Sequence, residues 1–158
     1  MKDTINFLGG LTSMVIFLAA AMMVVTACSS QTEQREALTR HQRIWSQQGI
    51  KNYQYRLQVN CFCPQEITEP VTVKVSNGIT TSVSYVATGM PAQSEYFVKY
   101  DTVDKLFLII DNALKQGADE ITVTYDETFG FPTHINIDFV KQAIDDEIAY
   151  NVTEFRKY

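Results

Sequence analysis

Apolar and polar positions change period several times along this chain, and each change marks an element. Leu38, His41, Ile44, Trp45 and Gln48 recur at helical spacing, with Arg35, Glu36, Arg40 and Arg43 off that stripe and Gly49 behind as a C-terminal cap. This spacing predicts a first helix over Glu33 to Gln48 that lies on the domain through Leu38, Ile44 and Trp45, with His41 as a packing residue on the same stripe. The period then drops to two. Tyr53, Tyr55, Leu57, Val59, Cys61 and Cys63 alternate with Asn52, Gln54, Arg56, Gln58 and Asn60, a half-buried strand that Pro64 ends because it cannot donate to a ladder.

Val71, Val73 and Val75, and then Ile79, Thr81, Val83 and Tyr85, flank Asn77-Gly78. A two-residue turn would pair Val75 with Thr80 and throw the two apolar sets onto opposite faces. A three-residue loop, Ser76-Asn77-Gly78, pairs Val75 with Ile79, Val73 with Thr81 and Val71 with Val83. Burial favours the second register, a type I turn with Gly78 left-handed in a bulge. Ala87 to Tyr100 reads as a loop. A second helix starts from Asp101 or Thr102 as N-cap, buries Val103, Leu106, Phe107, Ile110, Ala113 and Leu114, and closes at Gly117. Leu108 and Ile109 widen its apolar arc, as if both sides were covered.

Three further strands alternate through Ile121, Val123 and Tyr125, through Ile135, Ile137 and Phe139, and through Ile148, Tyr150 and Val152. The order helix, three strands, helix, three strands has no repeated strand-helix-strand unit. It predicts an α+β domain, an antiparallel sheet of about six strands with the helices packed on one face.

The amino-terminal segment obeys a different rule. From Ile5 to Ala27 no residue is charged, and an apolar core runs from Met14 to Val25 behind Lys2. A weakly positive start, an apolar centre and small residues at the end are the parts of a secretory signal peptide. An uncut run of this length could also span a bilayer. Val25-Thr26-Ala27-Cys28 resembles the lipobox of bacterial lipoproteins. The resemblance implies that the chain is cut before Cys28 and that Cys28 carries a diacylglyceryl thioether. In a Gram-negative cell it also implies that Ser29 permits export to the outer membrane. The expected organisation is a signal peptide over 1–27, a lipidated cysteine and tether over 28–32, and one domain over 33–158.

A formal net charge of −5 with dispersed Lys and Arg provides no electrostatic footprint for nucleic acid. The expected partners are the membrane, through the lipid, and an envelope protein. Of three cysteines, Cys61 and Cys63 remain as an even pair in an oxidising compartment.

Several dispersed pieces resemble a family of small bacterial lipoproteins whose domain has no known function. They are Trp45, Tyr53-x-Tyr55, Cys61-x-Cys63, Val73-x-Val75-x-Asn77-Gly78, Tyr100-Asp101-Thr102-Val103 before Leu106-Phe107, Tyr125-Asp126 before Gly130-Phe131-Pro132, Ile135-x-Ile137-Asp138 and Asp146-Glu147. The resemblance covers about Arg43 to Phe155. It implies a fold and an envelope location, with no activity to carry over.

Three features are candidate chemistry. Cys61 and Cys63 would lie about 6.5 to 7 Å apart between Cα atoms in an extended strand, at the limit for a disulfide, so a bridge needs a kink. A structural disulfide, two buried thiols and a redox or metal role all remain open. The carboxylates of Asp126, Glu127, Asp138, Asp145, Asp146 and Glu147 come from two loops and a strand; converging, Asp126, Asp138, Asp146 and Glu147 could hold a hard cation. Gly130-Phe131-Pro132 reads most simply as a rigid turn, with an exposed Phe131 contacting a partner as the alternative.

The two histidines, His41 and His134, stand on different elements, with His134 preceding the fifth strand and facing solvent. No nucleophile elbow, phosphate loop or zinc-protease motif occurs. The expectation is a non-catalytic, lipid-anchored interaction module of the cell envelope with no cofactor. Its rivals are a small-ligand or cation-binding lipoprotein and a thiol-disulfide protein using Cys61 and Cys63.

Overall fold

The computed structural model describes residues 31–143 and 145–158. The chain divides into two units, Met1–Glu36 and Ala37–Tyr158. Of the first, only residues 31–36 are described, and they are helical. The signal peptide and Cys28 lie outside the described residues. No described helix is long and apolar enough to cross a membrane.

The second unit opens with the rest of the first helix, α1 (31–48), whose Leu38, His41 and Trp45 are buried while Ile44 is half-buried. Then come β1 (Tyr53–Cys61), α2 (Gln65–Thr68), β2 (Val71–Ser76), β3 (Ile79–Tyr85) and α3 (Ser94–Phe97). The chain finishes with α4 (Val103–Gln116), β4 (Glu120–Tyr125), β5 (Pro132–Asp138) and β6 (Ile148–Lys157). The short helices α2 and α3 interrupt segments with no readable period. Phe97 of α3 is nonetheless fully buried, in a stretch expected to be a loop.

The six strands form one antiparallel sheet in the order β3-β2-β1-β6-β5-β4. Two three-stranded meanders are thus joined along β1 and β6, the α+β architecture expected from the period changes. The apolar set of β1, Tyr53, Tyr55, Leu57 and Val59, is buried, as are Val71, Val73 and Val75 on β2. Helices α1 and α4 close this face. Trp45 of α1 packs edge-on against Tyr53, with ring centroids 5.4 Å apart. The Tyr53 hydroxyl accepts the Val103 N–H at the start of α4, at 3.1 Å.

Thr102 caps α4 by accepting the Lys105 N–H at 3.2 Å, and Gly117 ends the helix in the left-handed conformation. The stripe from Val103 to Leu114 is buried as its spacing requires. Leu108 is 55% exposed, so α4 is covered on one side and not on both.

The β2–β3 register corrects the sequence expectation. Asn77 and Gly78 both have positive φ, 54° and 77°, and Ser76 pairs with Ile79 across a two-residue turn. Val75 pairs with Thr80, and the register then shifts so that Val73 faces Val83 and Val71 faces Tyr85. Burial still decides the outcome, but the extra residue sits inside β3 as a bulge and not in the turn. Ile79, before the bulge, is left 71% exposed. A second bulge lies opposite β1 between Gln54 and Arg56, where Glu154 has φ 51°. There Phe155 stacks on Phe131, with centroids 4.5 Å apart.

Candidate functional site

The side chains of β1 that point away from the helices are polar, and no described helix covers them. The register extends this polarity sideways: Gln58 faces Asn151, which faces His134, and Asn60 faces Ala149, which faces Asn136. The last row matters most. Two asparagines on outer strands flank an alanine on the strand between them, so the middle of the row is low and its sides are high.

A groove of about 620 Å³ opens there, with Asn60, Asn136 and Ala149 along its floor. Cys61 and Phe62 line one end, and Ala143, Asp145 and Glu147 from the β5–β6 connection bound it as well.

Cys61 and Cys63 are disulfide-bonded, with Cα atoms 5.2 Å apart. That is shorter than two residues of extended strand, so the backbone bends and β1 ends at Cys61 instead of running on to Cys63. The bend leaves Phe62 outside the core, 83% exposed at the rim of the groove. Asp145, which also lines the groove, adopts φ 77°, a left-handed turn that Asp tolerates better than most residues.

Asn60, Asn136, Asp145 and Glu147 share one property. Among the described residues, none of these four side chains has a hydrogen-bonding or ionic partner. The nearby cations are committed elsewhere, Lys141 to Glu120 at 3.1 Å and Arg56 to Glu154 at 3.1 Å.

The carboxylates expected to share a cation do not come together. Asp126 sits on the β4–β5 turn, where its Oδ1 accepts the N–H groups of Thr128 and Phe129 at 2.9 and 2.7 Å. Asp138 is at the far end of β5, buried opposite Glu120, so the length of a seven-residue strand, roughly 20 Å, separates it from Asp126. Asp146 accepts the Val140 N–H at 2.8 Å and so pins the β5–β6 connection. Only Glu147 of the four reaches the groove, beside Asp145. Among the described residues no three His, Cys, Asp or Glu side chains stand close enough to hold a metal ion.

Phe131 is not an exposed anchor. It is 4% exposed, packed between Trp45 and Phe155. The preceding Gly130 passes so close under α1 that a Cβ there would lie 2.8 Å from the His41 carbonyl oxygen. This approach carries the turn into the core. The exposed aromatic is Phe62.

The histidines also find structural settings. His41 stacks flat on Tyr125, centroids 4.0 Å apart and planes 3° apart, and burial pulls its pKa below the usual 6.5, with Arg40 adding to the effect. His134 lies within β5, half-buried, with its Nδ1 2.8 Å from the Asn151 Oδ1, and not ahead of the strand facing solvent.

A family model described as a family of unknown function, DUF6174, matches residues 37–157. The chain belongs to that family. No curated protein and no solved structure matches it. The match coincides with the second unit and contains every residue of the groove. The groove itself was legible only in part. Asp145, Glu147 and the cysteines stood out in the sequence. Asn60, Asn136 and Ala149 did not, because only the β1–β6–β5 register makes them neighbours.

Proposed function

We propose that this DUF6174 protein is a lipid-anchored, non-catalytic binding module of a bacterial envelope, held by Cys28 and engaging its partner at the groove beside Phe62. The lipobox-like tetrad and the apolar run before it support the anchor. One observation carries the binding reading: four polar side chains that have no partner among the described residues converge on one groove that an exposed aromatic flanks. Polar groups in a folded domain ordinarily find partners or face open water, and a ligand site leaves several aimed at one space.

The test is site-specific photo-crosslinking in cells. A photoreactive phenylalanine analogue at position 62 of the full-length protein should give one dominant adduct, and the same analogue at Lys99 should not. Ala149→Leu, which fills the low centre of the row, should abolish the adduct. Equal labelling from both positions, or an adduct indifferent to Ala149→Leu, rejects the groove as the binding site. Cys28→Ala should abolish metabolic labelling of the protein with an alkyne fatty acid, and unchanged labelling would remove the lipid anchor.

A thiol-disulfide role draws on the placement of Cys61 at the rim, but Asp145 and Glu147 in the same groove disfavour a thiolate there. Retention of the adduct's dependence on Ala149 in a Cys61→Ser, Cys63→Ser variant would separate binding from thiol exchange.

A further inference from the structure

The geometry points to a basic peptide segment, presenting a lysine or arginine side chain, as the ligand of the groove; this rests on the reading of the groove as a binding site. Asp145 and Glu147 bring two carboxylates to one space, and among the described residues neither has a cationic partner. The Asn60 and Asn136 amides add two carbonyl oxygens that accept hydrogen bonds from an ammonium or guanidinium group. Phe62 stands 83% exposed at the same rim, where its ring face or edge can cover the methylene stem or the cationic head.

The floor suits a thin occupant. Ala149 lies between the two asparagines, so the trough is narrow and low at its centre, the shape that accepts an unbranched side chain. The groove is open to solvent along the sheet face. A free small molecule gains most from a site that encloses it, whereas an open trough takes a side chain whose backbone stays outside. The chain's net charge of −5 adds long-range attraction in the same sense.

The test uses full-length protein purified in detergent and a fluorescein-labelled Gly-Lys-Gly-Lys-Gly peptide, followed by fluorescence anisotropy at low and high salt. The probe should bind, weaken with salt, and fail to bind Ala149→Leu. The double variant Asp145→Asn, Glu147→Gln should weaken it by about tenfold, the loss expected for two charge-assisted contacts from exposed carboxylates. Asparagine keeps the left-handed turn at 145, so the loop stays in place. A control pair with the same change in net charge, Glu95→Gln on α3 with Glu127→Gln on the β4–β5 turn, should leave the affinity within about twofold, since neither lines the groove and Glu127 lies at the other end of β5 from Asn136.

Undiminished binding by the groove double variant, or an equal loss in the control pair, overturns the inference in favour of diffuse attraction. Spermidine binding as tightly as the peptide overturns the peptide as the source of the cation. An uncharged N-acetylglucosamine oligomer that binds, is blocked by Ala149→Leu and ignores the carboxylate changes also overturns it, while leaving the binding groove itself standing. Failure of both the peptide and the crosslink at position 62 rejects the groove reading as well.

Discussion

Gly130→Ala is the substitution that most directly tests why the β4–β5 turn is buried. Gly130 has φ 83°, and an added Cβ would meet the His41 carbonyl oxygen at 2.8 Å and the Ile44 Cβ at 2.9 Å. The first of these is helix backbone and has no rotamer to escape into. A non-glycine residue in the left-handed region costs about 1–2 kcal/mol, and forcing atoms into a packed contact costs about 1–3 kcal/mol more. Together they predict about 3 kcal/mol, and for a domain of this size a fall in Tm of roughly 10–15 °C. Gly89→Ala is the control. Gly89 has φ 70° but open space around its Cβ position, so only the backbone cost applies, about 1 kcal/mol and roughly 5 °C. Thermal unfolding followed by the fluorescence of Trp45, which packs on Phe131 and donates its indole N–H to Asp104 at 3.2 Å, reads both variants. Equal losses in the two would refute the close approach of the turn to α1, and with it the reason given for Phe131 being buried.

Phe131→Ala should cost about 3–5 kcal/mol as a core truncation, whereas Phe62→Ala should change stability by less than about 0.5 kcal/mol; denaturant unfolding of both separates core from rim. His41 has a folded pKa below its ordinary 6.5, so between those values the unfolded chain binds more protons and stability falls as the pH drops. Tm measured from pH 7.5 to pH 5 should decline, and His41→Phe should flatten the decline even though Arg40, Glu127 and Tyr125 around it are kept. Burial pushes Tyr53 and Tyr125 up to about 12 and raises Tyr55 and Tyr150 well above the ordinary 10. Above pH 10 the unfolded chain therefore loses those protons first and stability falls; absorbance at 295 nm should show these four rings ionising only with unfolding. Replacing Cys61 and Cys63 by serine opens a very short loop and should cost only about 1.5 kcal/mol on the chain-entropy estimate, while peptide binding at the groove weakens because Phe62 is no longer held at the rim; calorimetry and anisotropy on the same sample check both.

The comparison of chain with fold turns on the range over which each force acts. Helix α4 was nearly complete in the sequence, since its cap at Asp101 or Thr102, its buried stripe and its stop at Gly117 all lie within one continuous stretch. The alternation of β1 likewise named its buried face, because side-chain direction follows from period two alone. The limits appear where a second segment has a vote. Asn77-Gly78 takes the turn its own chemistry prefers, and the burial conflict is relieved at a bulge in β3 that no local signal announces. Phe131 looked like an exposed turn aromatic because nothing nearby in sequence shows that α1 passes over Gly130.

The acidic residues make the same point at the site. Their composition was plain, yet Asp126 serves its own turn, Asp138 lies a strand's length away, and Asp145 and Glu147 share a groove with amides from β1 and β5. The sequence by itself determined the two long helices, the six strands, most of their buried faces and the α+β class, since propensity, capping and periodicity act over a few residues. Tertiary structure alone decided the strand register, the bulges and the meeting of Asn60, Ala149 and Asn136, since these depend on pairing between segments apart in the chain.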